Sequence, residues 1–220
     1  QDLELALPLV WGRKVSSVFF GGGTPSLLSG EALDRILCGV RALLPLEAGA
    51  EITLEANPGT VEAGRFKSFR EAGINRLSLG IQSFNPLHLQ ALGRIHDANE
   101  ARRAVELARE CFENINLDLM YALPGQSLDE ALLDLRTAVS YGPQHLSAYH
   151  LTIEPNTWFY HHPPQLPDDD LSARMQEEIE NLLADSGYQH YETSAFSLAN
   201  QNCRHNLNYW LFGDYLGIGA

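Results

Sequence analysis

Short apolar runs alternate with longer amphipathic ones along most of the chain, and this switching between a period of two and a period of about 3.6 leaves few architectures open. The strand-like runs are SSVFFG (16–21), EITLEA (51–56), RLSLGI (76–81), NLDLMY (116–121) and HLSAYHL (145–151), with a weaker one in HYETSAF (190–196). Between them, helical patterns cover 30–44, 61–72, 98–112, 128–141 and 168–186, and Thr60, Ser127 and Asp168 stand where N-caps belong. Repeated strand–helix units of this kind build an α/β fold around a parallel sheet. With 220 residues, 45% of them hydrophobic and 20% charged, the chain supplies a core for one domain. The Pro-rich stretch HHPPQLPDDD (161–170) is long enough to serve as a lid.

Charge and cysteine usage remove several function classes. Fifteen Lys and Arg stand against 28 Asp and Glu, a formal net charge of −13, so the overall field repels phosphate backbones and no nucleic-acid partner is expected. No apolar run approaches the roughly 18–20 residues of a membrane span, and the opening QDLELALPLV carries acids where a signal peptide carries positive charge. Contact with a membrane is therefore expected to be at most peripheral, through a partner. Cys38, Cys111 and Cys203 are far apart and unpaired in spacing, which fits a reducing, cytoplasmic setting.

Four strand ends break into glycine or polar chemistry: GGGTPS, EANPGT, GIQSF and DLMYALPGQ. In a parallel barrel-like sheet the C-terminal strand ends share one rim, so these segments converge on one site. Gly21, Gly22 and Gly23, followed by Thr24, bare backbone amides beside a hydroxyl where a polar ligand head can sit; the same glycines equally serve a tight turn. Glu55 and Asn57 leave the second strand, where a carboxylate commonly accepts from a ribose diol, although a solvated glutamate reads the same way. Gln82 follows an apolar strand, and Arg94 in ALGRIHD carries a planar fork suited to a carboxylate; either also serves to brace a loop. Asp118 sits inside an otherwise apolar strand, and an unpaired buried carboxylate is costly, so it requires a partner or a ligand.

In this order and spacing, FFGGGTPSLL, EITLEANPGT, GINRLSLGIQSF, ALGRIHD, LDLMYALPGQS and HLSAYHLTIEPNT resemble radical S-adenosylmethionine (radical SAM) proteins of the oxygen-independent coproporphyrinogen III oxidase type, from about Val15 to the last residue. The resemblance implies a partial (β/α)6 barrel with S-adenosylmethionine at the C-terminal strand rim. It further implies that Gly22, Gly23, Thr24, Glu55, Gln82, Arg94, Asp118 and, on looser flanks, Thr152 contact that ligand. A [4Fe-4S] cluster on a CxxxCxxC loop after the first strand is also implied by the family, and no CxxxCxxC occurs in this sequence. Residues 1–220 are therefore expected to be a single radical SAM core-domain fragment, truncated at both ends and lacking the first strand and the cluster loop, with 161–220 leading toward a C-terminal region. The cluster is expected in the parent protein only, and this chain is expected neither to bind it nor to form the 5′-deoxyadenosyl radical. Cys38, Cys111 and Cys203 are read as helix or core residues, because a three-thiolate cluster site needs closely spaced ligands on one loop.

The closing segment CRHNLNYWLFGDYLGIGA places His205, Asn206, Tyr209 and Trp210 in an HNxxYW pattern. An imidazole can ligate haem iron, and Trp and Tyr supply flat apolar area for a macrocycle; a histidine satisfied in a packed aromatic corner is the alternative. The pattern resembles the haem-chaperone branch of the family. That resemblance implies binding of haem and S-adenosylmethionine and delivery of haem to haem-receiving proteins, with His205 as the candidate iron ligand. The alternative function is the oxidase reaction, radical oxidative decarboxylation of coproporphyrinogen III in haem biosynthesis. His150, His161 and His162 are further candidate ligands, although YHH before prolines reads first as an exposed loop.

Overall fold

The computed structural model describes residues 1–60 and 63–219. Five strands, β1 (Val15–Phe20), β2 (Leu46–Ala56), β3 (Arg76–Gln82), β4 (Ile115–Tyr121) and β5 (His145–His150), lie side by side in chain order and all run parallel. The hairpin of β6 (Gln189–Glu192) and β7 (Ala195–Ser197) extends the sheet to the order β1-β2-β3-β4-β5-β7-β6, with β7 antiparallel to both neighbours. The helices in chain order are α1 (Asp2–Ala6), α2 (Gly30–Leu43), α3 (Ala63–Ala72), α4 (Pro86–Ala91), α5 (Ala98–Cys111), α6 (Leu128–Ser140), α7 (Trp158–His161), α8 (Asp169–Asp185) and α9 (Arg204–Trp210).

A sheet whose parallel strands never reverse order sends every right-handed crossover to the same face. One face is accordingly apolar and covered by helices. Leu54 of β2, Leu77, Leu79 and Ile81 of β3, and Leu117 and Leu119 of β4 pack there with Leu33 and Leu37 of α2, Phe66 and Phe69 of α3, Val105 of α5, Leu135 of α6 and Ile179 of α8. The alternate positions, Glu51, Thr53 and Glu55, then Arg76 and Ser78, then Asn116 and Asp118, then His145, Ser147 and Tyr149, point the other way and form the polar inner wall of a half-barrel. This explains why the acid inside NLDLMY is tolerated: its side chain leaves the apolar layer.

Local chemistry fixes the helix starts. Ser127 Oγ accepts from the Glu130 N–H at 3.3 Å while the Glu130 carboxylate accepts from the Ser127 N–H at 2.9 Å, and Asp168 accepts from the Leu171 N–H at 2.8 Å. Thr60 instead lies in a 3-10 turn, Pro58–Thr60, and donates its hydroxyl to the Asn57 carbonyl; residues 61–62 of the expected helix fall outside the described residues. The single strand expected over 190–196 is a hairpin turning at Thr193 and Ser194, stabilised by the His190 ring stacked on Phe196 at 4.4 Å. The sixth strand position is thus antiparallel rather than another barrel strand. Within 161–170, the Gln165 carbonyl accepts from the Gly125 N–H at 3.1 Å, which ties the stretch to the turn after β4. Among the described residues, no helix is long and apolar enough to cross a membrane.

Candidate functional site

The polar wall of the half-barrel borders a cavity of about 310 Å³. Gly23 and Thr24 border it from the loop after β1, Glu55 and Asn57 from the end of β2, Gln82 and Arg94 from β3 and the segment beyond it, and Asp118 from β4. Six of the eight residues expected at the nucleoside ligand are therefore brought together. Gly22 stands just outside and donates its N–H to Glu55 Oε2 at 3.3 Å. Thr152 is exposed in the loop after β5 and does not line the cavity.

The glycine loop is shaped by the carboxylate it covers. Gly22 and Gly23 have φ of 77° and 56°, the left-handed region that side chains avoid, and a Cβ on Gly21 would meet the Phe19 ring at 2.8 Å. Burial raises the Glu55 pKa above its ordinary value, the Gly22 amide opposes that rise, and the Asp118 charge adds to it. Gln82 ends β3 with φ of 67°, an uncommon conformation for a residue with a side chain, where the β3–β4 register shifts. From this position Gln82 borders the cavity.

The floor of the cavity is one directed hydrogen-bond chain. The Cys203 N–H donates to the Tyr191 oxygen at 3.2 Å, and the Tyr191 hydroxyl pairs with His145 Nε2 at 2.6 Å. His145 Nδ1 pairs with Asn116 Oδ1 at 2.6 Å, and Asn116 Nδ2 donates to Asp118 Oδ1 at 2.8 Å. Ser78 Oγ closes the series by donating to Asp118 Oδ2 at 2.8 Å. Since a carboxylate only accepts and the Asn116 oxygen only accepts, His145 carries its proton on Nδ1 and accepts a hydrogen bond from the Tyr191 hydroxyl on Nε2. Burial raises the Asp118 pKa, the Ser78 and Asn116 donors lowering it in turn. Asp118 is the partnered acid that its apolar strand required.

α9 closes the open side of the half-barrel, between the two edge strands. At one end the His205 ring stacks on Phe19 of β1, 4.5 Å between centroids and 19° between planes; at the other, Trp210 Nε1 donates to Glu192 of β6 at 3.2 Å. Glu51 holds the start of the helix, accepting from the Arg204 N–H at 3.1 Å, the His205 N–H at 3.2 Å and the Cys203 thiol at 3.3 Å. Tyr209 meets the His205 ring edge-on at 5.1 Å, and burial lowers the His205 pKa. No hydrogen bond to the His205 ring nitrogens occurs among the described residues, whereas its backbone N–H donates to Glu51. Asn206 alone of the HNxxYW residues lines the cavity itself. His161 ends α7 and His162 follows it, stacked on Trp158 at 3.7 Å, so YHH is part helix and exposed.

Residues 3–138 match the Radical SAM superfamily, more than half of the chain. The chain belongs to the radical SAM superfamily. Over all 220 residues this radical SAM chain is 57% identical to "Heme chaperone HemW" of Escherichia coli (strain K12) and 54% identical to "Heme chaperone HemW" of Haemophilus influenzae, covering 58% and 57% of those proteins. The chain thus spans a little over half the length of the curated relatives it matches. Its fold also superposes on the solved coproporphyrinogen III oxidase (HemN) from Escherichia coli, described as a radical SAM enzyme. That match has a TM-score of 0.81 at 27% identity over 96% of this chain and 49% of that one. The alternating strands and helices predicted an α/β fold around a parallel sheet, and the family resemblance a partial (β/α)6 barrel; the half-barrel matches that fold.

The superfamily implies S-adenosylmethionine and a [4Fe-4S] cluster, and the two fit this radical SAM chain differently. A sulfonium nucleoside with a carboxylate needs acid acceptors, an amide and a guanidinium, which Glu55, Asp118, Gln82 and Arg94 offer around one cavity. A cluster needs neighbouring thiolates. Cys38 stands exposed on α2, Cys111 ends α5 and Cys203 is buried before α9, and among the described residues no three His, Cys, Asp or Glu side chains group to hold a metal. The cluster does not fit the residues of this chain. Sequence reading missed Glu51, Arg76, Asn116, His145, Ser147 and Tyr149; the signal was the polar residue at every second position of each strand.

Proposed function

We propose that this chain is the ligand-binding core of a haem chaperone, holding S-adenosylmethionine in the half-barrel cavity and haem against the HNxxYW helix for transfer to haem-requiring proteins. In the cavity, Glu55 accepts from the ribose hydroxyls, Arg94 pairs with the ligand's carboxylate, and Gln82 and Asp118 supply the remaining polar contacts, with Gly23 and Thr24 closing over the top. When bound in the radical SAM proteins, the sulfonium nucleoside supplies a cleavable carbon–sulfur bond, and nothing in this chain's residues supplies the electron.

One observation carries the haem assignment. The His205 ring is stacked on Phe19 and touched edge-on by Tyr209, yet has no hydrogen-bond partner among the described residues. The ring is oriented by aromatic packing, and neither of its nitrogens is tied to a protein group among the described residues. Burial favours its neutral form, the form that donates a lone pair to iron. Beside it, exposed Trp210, Leu211, Phe212 and Tyr215 offer apolar area for a flat macrocycle. The names of the two bacterial relatives, at 57% and 54% identity over the whole chain, support the same reading.

The net charge of −13 and the three dispersed free cysteines support a cytoplasmic site of action with protein recipients and without nucleic acid. Turnover separates this reading from the oxidase. The complete protein, given S-adenosylmethionine and reductant, is expected to bind haem and leave coproporphyrinogen III unchanged; stoichiometric formation of protoporphyrinogen IX would assign it to the oxidase reaction instead.

A further inference from the structure

We propose that Arg76 is a carboxylate-binding residue at the floor of the cavity, the counter-charge for an acidic group of a ligand that enters there. The preferred source is a propionate of the macrocycle, which rests on the haem reading above; the carboxylate of S-adenosylmethionine is the other source of the same chemistry.

Arg76 opens β3 on the polar face and is 2% exposed. Its Nε is buried without a hydrogen-bond partner, and none of the ion pairs among the described residues includes it. Its ladder partner on β2 is Thr53, fully buried, whose Oγ1 is likewise without a partner. A cationic donor and a hydroxyl therefore sit side by side with nothing to bond. The acids on the same wall are hydrogen-bonded elsewhere: Glu51 accepts from the start of α9, and Asp118, whose ionised form the Arg76 charge favours, accepts from Ser78 and Asn116. Burying a guanidinium without a hydrogen-bonded counter-charge is costly, and such a cost persists where a ligand offsets it.

The charge is felt by its surroundings. Burial first and Arg76 second hold the neutral form of His145, pushing its pKa well below the ordinary imidazole value, and Arg76 also contributes to lowering that of His205. A planar guanidinium fork matches the two oxygens of a carboxylate, and Arg76 itself borders the cavity. Arg76 and Gln82 stand at opposite ends of β3, roughly 20 Å apart along an extended strand. Floor and rim therefore serve different ends of the cavity, and Arg94 does not duplicate Arg76. Asn206, from the HNxxYW helix, borders the same cavity as Arg76 and links the floor to the haem segment.

The test titrates the chain with protoporphyrin IX and with its dimethyl ester, then with S-adenosylmethionine and with 5′-methylthioadenosine, and repeats each with Arg76→Met and Arg76→Lys. If Arg76 holds a propionate, the free acid binds the unaltered chain about ten- to a hundredfold more tightly than the ester, and Arg76→Met abolishes that preference. If instead the preference for S-adenosylmethionine over the thioether collapses in Arg76→Met, the residue binds a carboxylate of that second source. Thermal unfolding gives a readout that a bracing arginine would not share: losing an unpaired buried cation leaves the Tm unchanged or raised, whereas losing a structural one lowers it. Failure of both porphyrins to bind would sink the haem reading, leaving Arg76 to be judged by the nucleoside pair. The proposal is overturned if both preferences survive in the variants, if the unaltered chain shows neither preference, or if no carboxylate ligand binds at all.

Discussion

Glu51 hydrogen-bonds to no HNxxYW side chain among the described residues, yet its removal should disable them. Its carboxylate takes the N–H groups of Arg204 and His205 at 3.1 and 3.2 Å and the Cys203 thiol at 3.3 Å, the principal anchor of α9 to the barrel wall. Each charge-assisted bond is worth about 1.5–3 kcal/mol when short, and these lie at the long end of the range, so Glu51→Ala should weaken docking of the helix by about 3 kcal/mol. That lowers the ratio of docked to undocked helix about a hundredfold. Glu51→Gln keeps one acceptor but loses the charge that complements the helix N-terminus, for a loss of about 1–2 kcal/mol. Hydrogen exchange of the 204 and 205 amides reads the docking directly, and haem affinity should fall in the same order, alanine below glutamine below the unaltered chain. Unchanged protection of those two amides in Glu51→Ala would refute the anchoring role, and unchanged haem affinity with lost protection would detach haem from α9.

The remaining predictions concern the rim and the floor. Gly22→Ala, at φ of 77°, should cost about 1–2 kcal/mol in denaturant unfolding and weaken S-adenosylmethionine binding, while Gly39→Ala, inside α2 with no atom within 4 Å of the new Cβ, should stabilise the chain by about 0.5–1 kcal/mol. Arg94→Ala and Glu55→Ala should each reduce S-adenosylmethionine affinity by about 1–3 kcal/mol in calorimetry, and unchanged affinity in both would remove them from the site. For Asp118, burial raises the folded pKa above the ordinary 3.8, so its contribution to stability is full below that value and is lost as pH rises through the folded pKa. Urea unfolding should therefore find Asp118→Asn less unfavourable relative to the parent at pH 7 than at pH 3.5; the opposite trend would mean that the carboxylate is stabilised in the folded protein.

The parallel strands and crossover helices were legible in the sequence because each obeys a strong local period and carries its own caps, as Ser127 and Asp168 show. The β6–β7 hairpin was not, since HYETSAF reads as one alternating run and the turn at Thr193 and Ser194 is set by pairing with β5. The rim residues were found because glycines and acids stand out against apolar strands. The floor was not, because Arg76, Asn116 and His145 become neighbours only when three strands align in register. Glu51 shows in the sequence as a polar residue of an alternating strand, but its role does not: its partners are about 150 residues away, at the start of a seven-residue helix too short for periodicity to reveal.

The central claim, that the HNxxYW helix is a haem site built around His205, is tested most directly by titrating haemin into the chain and into His205→Ala while recording the Soret band and ferric spin state. His161→Ala and His162→Ala serve as controls. If His205 ligates the iron, the unaltered chain and both controls share one spectrum, and His205→Ala alone shifts the Soret band and the spin state with weakened affinity. An unshifted His205→Ala spectrum at unchanged affinity, with the change appearing in a control instead, would place haem on the exposed α7 segment and contradict the account.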